Sequence, residues 1–93
     1  MIQSYRGKEA ARLARGERAR RLPNEVTHRA RMRLARIHAA TRLEDLRQPP
    51  SHRLEALKGG RAGQHSIRIN DQWRICFEWR DGHAYNVEIV DYH

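Results

Sequence analysis

Two consecutive prolines, Pro49 and Pro50, divide this chain into halves with different hydrophobic periods. Neither proline has an amide hydrogen to donate, so no helix continues through the pair. Before them, Val26, Ala30, Leu34 and Ile37 recur at spacings of four, four and three, the stripe of a helix with one buried side. After them the period shortens to two. Ser66-Ile67-Arg68-Ile69-Asn70 alternates, and Trp73, Ile75, Phe77 and Trp79 alternate with Arg74, Cys76, Glu78 and Arg80. Helices first and an antiparallel meander second predict an α+β fold, with N-terminal helices packed on one face of an antiparallel β-sheet.

The finer signals agree with this plan. Residues 8–15 are strong helix formers closed by Gly16, and a second helix is expected over about 24–40, opened by Pro23 with Glu25 near its positive end. Residues 2–5 read as a short first strand, and Leu43 and Leu46 as one more short turn before the prolines. Asn70-Asp71-Gln72 and Asp81-Gly82 read as tight turns between strands, and Tyr85, Val87 and Ile89 continue the alternation. The aromatic stripe reads as core, which turns Arg74 toward the opposite, working side of the sheet. At 93 residues the chain is expected to form one domain, 1–93, with a single core and little room for a deep pocket.

Charge follows the same division. Residues 1–47 hold 13 Arg/Lys against 5 Asp/Glu, a net of +8, whereas residues 48–93 hold 6 of each, a net of zero. Such a balance points to a polyanionic partner, most simply a nucleic acid. Nearly all the cations are arginine, which suits bidentate phosphate contacts and is equally what a GC-rich genome produces. Arg29, Arg33 and Arg36 on the second helix, with Arg61 and Arg68 in the strand half, are the candidate nucleic-acid contacts.

Other classes are disfavoured. A single Cys forms no internal disulfide, no apolar run approaches the ~20 residues of a membrane span, and Met1–Arg6 lacks the apolar core of a signal peptide, so a cytoplasmic, membrane-free protein is expected. Six His show neither His-x-x-x-His spacing nor a Cys-x-x-Cys neighbour, so no metal and no cofactor are expected. In Lys58-Gly59-Gly60-Arg61-Ala62-Gly63 the Lys precedes the glycines and a strand follows, the reverse of a phosphate-cradling loop, so a surface turn between strands is the better reading. Cys76 reads as a packed small residue. Asp91-Tyr92-His93 follows a well-patterned strand, and two readings stand: an ordinary polar tail, or a carboxylate, a phenol and an imidazole held in place for proton transfer.

Three stretches taken together resemble a known family. They are Arg53-Leu54-Glu55-Ala56-Leu57-Lys58-Gly59, then Gly63 to Ile75 with its Asn-Asp-Gln-Trp-Arg, and Val87 to His93 ending Asp-Tyr-His. They are similar to the HigB-type toxins of bacterial toxin–antitoxin modules, most of all the GraT branch, within the RelE/ParE superfamily of small α+β proteins. The resemblance implies a ribosome-dependent mRNA endonuclease that cuts codons in the A site. It also implies a helix-turn-helix, HigA-like antitoxin as partner, and operator DNA reached only through that antitoxin. Lys58, Arg74, Asp91, Tyr92 and His93 carry over as the catalytic positions. Several relatives have a His three residues before the Lys, where this chain has Glu55, so that imidazole is absent and Glu55 reads as a strand residue.

The residue types suit such a reaction. RNA cleavage by the substrate's own 2′-OH needs a base for the hydroxyl proton, an acid for the leaving 5′-oxygen and cations for the charge growing on phosphorus. His93 and Asp91 are the expected proton-transfer pair, with Asp91 also able to orient the imidazole. Arg74 and Lys58 would stabilise the phosphate, and Tyr92 would stack on or position a base. A non-enzymatic basic module of the same fold, such as a ParE-like gyrase inhibitor or an inactive toxin relative, is the alternative.

Overall fold

The computed structural model describes residues 1–92. Helix α1 is Glu9–Ala14 and helix α2 is Asn24–Ala39; four strands follow, β1 (Glu55–Ala56), β2 (Gln64–Arg68), β3 (Trp73–Arg80) and β4 (His83–Asp91). They form one antiparallel sheet in the order β1-β2-β3-β4. Both helices pack together, and both reach the sheet on one side.

Local chemistry sets the boundaries. Gly16 stands at φ +80 just past α1, where its amide bonds to the Leu13 carbonyl and that of Glu17 to the Arg12 carbonyl, a Schellman closure needing a residue at ease with positive φ. Pro23 precedes α2, and its carbonyl accepts the Val26 and Thr27 amides. A short 3-10 turn, Leu43–Arg47, precedes the proline pair, and a second, Pro50–His52, begins at its second proline. Between β2 and β3 the Asn70 Oδ1 accepts the amides of Gln72 and Trp73 at 2.9 and 2.8 Å. Asp81 and Gly82 both have positive φ, 51° and 79°, as the two-residue hairpin turn requires.

The core lies between helices and sheet. Val26, Ala30, Leu34 and Ile37 of α2 are buried with Ile67, Ile75, Phe77 and Val87 in one cluster that Leu13 and Leu46 join. Burial of side chains this size stabilises by about 1.5–3 kcal/mol each.

Two expectations need correction. Residues 2–5 form no strand of their own; isolated parallel bridges, Ile2 with Ala84 and Tyr5 with Val87, lay them along the free edge of β4. The alternation of β4 is also broken. Asn86, at φ 52, is an extra residue opposite β3, since Glu88 pairs with Cys76 but Tyr85 with Glu78. Val87 and Ile89 therefore face the helices while Tyr85 is turned to the open side, where Arg80 lies 4.1 Å over its ring.

Candidate functional site

The sheet face away from the helices carries the polar residues. Register aligns Glu55, Ser66, Cys76 and Glu88 in one row across all four strands, with Arg68 and Arg74 as neighbours in the next. Arg74 is the best-anchored of these. Its Nε donates to the Ser66 Oγ at 2.8 Å and its Nη2 to the Arg53 carbonyl at 2.9 Å, and Nη2 also lies 3.5 Å from Glu55. The left-handed Arg53 (φ 45) is the residue that presents this carbonyl. The Arg74 side chain is only 13% exposed, and Tyr92 presents its ring 5.6 Å from the guanidinium. Among the described residues Nη1 has no hydrogen bond, so a fixed cation keeps donors available for an anion.

A second group borders it. Arg61 Nη1 donates to Glu88 Oε1 at 3.2 Å and to Gln64 Oε1 at 2.9 Å, which ties the turn Gly59–Arg61 to β4 and β2. The hydrogen bond to Glu88 raises the Arg61 pKa further above its already high value. Lys58 is exposed and heads that turn, which joins β1 to β2 as expected of the glycine-containing stretch. Cys76 is buried beneath the group, as its packing expectation required. Burial, foremost, pushes its thiol pKa up, so it stays protonated at neutral pH and is a poor nucleophile. Tyr92 lies against it, and burial raises the phenol as well.

The expected residues do not all converge. Asp91 pairs in register with Trp73, so alternation sets it on the helix-facing side, where its carboxylate accepts from Gln72 Nε2 at 3.3 Å. Among the expected catalytic residues, Arg74 and Tyr92 come together and Asp91 is turned from them; His93 lies outside the described residues. Of the candidate RNA contacts, Arg29 and Arg33 reach back to the carbonyls of Ile69 and Arg68, both at 3.2 Å, and so tie α2 to the sheet. Burial, then the neighbouring Arg29 and Arg36, lowers the Arg33 pKa. Arg36 is exposed, and Arg68 is paired with Asp71. Ser66, Glu88 and the Arg53 carbonyl were not anticipated. Period-two parity with Arg68 and Arg74 signals the side chains, whereas nothing in the sequence marks a carbonyl. Among the described residues no three His, Cys, Asp or Glu side chains gather where they could hold a metal ion.

Residues 3–93 match the family described as the RelE-like toxin of type II toxin–antitoxin system HigB. The chain belongs to the HigB-like toxins. This HigB-like chain is 40% identical over 71 residues to "Toxin HigB-1" of Vibrio cholerae, covering 76% of this chain and 75% of that one. It is 33% identical over 93 residues to "Endoribonuclease HigB" of Proteus vulgaris, covering both chains fully. Crystal structures of YafQ from E. coli align with it over 98% of this chain and 93% of theirs. The TM-scores are 0.64 for a mutant and 0.56 for the protein from strain BL21(DE3), at 11% and 12% identity, which shows a shared fold. Membership of a type II module implies an antitoxin partner. No helix among the described residues is long and apolar enough to cross a membrane.

Proposed function

We propose that this toxin is a ribosome-dependent endoribonuclease that cuts messenger RNA in the A site and so inhibits translation. The carrying observation is Arg74, immobilised by three partners on the open sheet face beside the Tyr92 ring. A phosphate held by Arg74, with an adjoining base on Tyr92, would have its charge balanced where the phosphorane develops. The 2′-oxygen attacks the adjacent phosphorus, the bond to the 5′-oxygen breaks, and a cyclic phosphate and a 5′-hydroxyl result. His93 is the residue whose ordinary pKa suits the proton transfers. Asp91, on the other side of β4, is assigned an orienting role, and Lys58, exposed at the head of the turn that Arg61 and Glu88 brace, is assigned to the phosphate. The partners of this reading are the ribosome with its rRNA and message, a HigA-like helix-turn-helix antitoxin, and operator DNA through that antitoxin; the setting is the cytoplasm. The Lys-Gly and Asp-Tyr-His motifs support placement near the GraT branch.

In vitro translation followed by primer extension on a defined message tests this. Cuts spaced by codons and dependent on ribosomes are expected, reduced about 10²–10³-fold in a folded Arg74→Ala protein. Inhibition of DNA supercoiling without cuts would overturn the reading in favour of a gyrase inhibitor.

A further inference from the structure

Cleavage by the 2′-oxygen needs a group that takes the hydroxyl proton, and most side chains beside Arg74 are unsuited to it. The Cys76 thiol keeps its proton, and burial chiefly raises the Tyr92 phenol, so neither accepts one at neutral pH. Glu88 already accepts from Arg61 at 3.2 Å, and Glu78, farther along β3, accepts from Asn86 Nδ2 at 2.8 Å. Asp91 faces the helices. Glu55 differs from all of these. As the first residue of β1 it stands opposite Ser66, which accepts from Arg74 Nε. Its half-exposed carboxylate lies 3.5 Å from Arg74 Nη2. That nitrogen donates to the Arg53 carbonyl, and among the described residues the Glu55 carboxylate accepts no hydrogen bond. Lys58, which heads the next turn, is three residues on.

We propose that the Glu55 carboxylate is the general base that takes the 2′-hydroxyl proton, which divides the two proton transfers between Glu55 and His93. The assignment rests on the endoribonuclease reading above. In a reactive pose the 2′-oxygen lies about 3–3.5 Å from the phosphorus it attacks. A phosphate on Arg74 therefore brings that hydroxyl within reach of a carboxylate flanking the same guanidinium. The proton passes from the 2′-oxygen to Glu55 as that oxygen bonds to phosphorus. The bond from phosphorus to the 5′-oxygen breaks, and the 5′-oxygen takes a proton from the His93 imidazolium. Glu55 then releases its proton to water, for which its exposure suits it, and His93 regains one from water. The guanidinium between carboxylate and phosphate also offsets their mutual repulsion, so an anionic base is tolerated beside an anionic substrate.

The test is single-turnover cleavage of a defined message on ribosomes by the full chain and by its Glu55→Gln and Glu55→His variants. Gln keeps the shape and an oxygen toward Arg74 but takes up no proton. The rate on saturating ribosomes should therefore fall about 10²-fold or more, with the half-saturating ribosome concentration unchanged. Glu55→His should restore much of the rate, with a new loss below about pH 6.5, where an imidazole charges. A message with sulfur in place of the 5′-oxygen at the cut releases a thiolate, which needs no acid. It should rescue a His93→Gln protein and leave Glu55→Gln slow. A Glu55→Gln protein that cuts like the unsubstituted chain would overturn the assignment. So would a defect confined to half-saturation, which marks a binding role, or rescue of Glu55→Gln by the sulfur-substituted message, which would make Glu55 the acid. An unsubstituted protein that binds ribosomes and leaves the message whole would overturn the function reading instead, and the base assignment with it.

Discussion

Ser66→Ala removes one oxygen from the centre of the site and asks how firmly Arg74 must be held. Ser66 is fully buried, and its Oγ accepts from Arg74 Nε at 2.8 Å. The variant leaves a charged donor without its acceptor where water has little access, since the Arg74 side chain is 13% exposed. A hydrogen bond to a charged group of this kind is worth about 1.5–3 kcal/mol. The carbonyl of Arg53, at 2.9 Å, still holds the far end of the guanidinium, so the side chain tilts without being released. Taking about 2 kcal/mol out of a total of about 5–15 kcal/mol for a domain, the melting midpoint should fall by about 8–16 °C. Message cleavage should fall about tenfold, short of the 10²–10³ expected for losing the cation itself. Glu55→Gln is the internal comparison: its carboxylate is 53% exposed and 3.5 Å from the same guanidinium, so stability should change by less than about 1 kcal/mol. Thermal melting by circular dichroism and ribosome-dependent cleavage, run on both variants, decide the matter. A Ser66→Ala protein that melts and cuts like the unsubstituted chain would refute the idea that Ser66 fixes Arg74.

Acid should weaken the fold through His52. Fully buried, it must donate from Nδ1 to the Leu46 carbonyl at 3.1 Å, leaving Nε2 buried with no partner among the described residues, and burial lowers its pKa below the ordinary 6.5. The neutral ring is the folded form, so stability is full above about 6.5 and is lost as pH falls toward the lowered value; His65, lowered by burial, adds in the same direction. The urea midpoint should thus drop between about pH 7.5 and about pH 5.5. Arg33→Ala should cost about 1–2 kcal/mol in urea denaturation by removing the tie to the Arg68 carbonyl, whereas exposed Arg36→Ala should change stability by less than about 0.5 kcal/mol. Cys76, buried and held protonated, should resist an aromatic disulfide reagent in native buffer and release one equivalent in denaturant.

Where local geometry decides, the sequence was readable. The stripe Val26, Ala30, Leu34, Ile37 needs only the helical period to find its buried side, and Asp81-Gly82 needs only two residues that tolerate positive φ. The parity of β3 likewise set Trp73, Ile75 and Phe77 inward and Arg74 outward. Parity failed in β4, because Asn86 adds a residue that alternation does not announce, and Tyr85 changed faces. It also separated Asp91 from Tyr92, adjacent in the chain yet on opposite sides of the sheet. The arginines of α2 show a third limit. Arg29, Arg33 and Arg36 look alike in sequence, but which of them reaches a carbonyl of β2 or the following turn depends on how α2 lies across the sheet.

The sequence by itself determined that helices precede strands, the inward faces of α2 and β3 and the hairpin turns, all of which follow from spacing and residue type within a few positions. Only the tertiary structure decided that the Ser66 hydroxyl and the Arg53 carbonyl would hold Arg74, and that Glu88 would brace Arg61. The physical reason is range. Periodicity and turn chemistry act between neighbours, whereas an anchored guanidinium needs acceptors 8 and 21 residues distant, brought within 3 Å by the packed sheet.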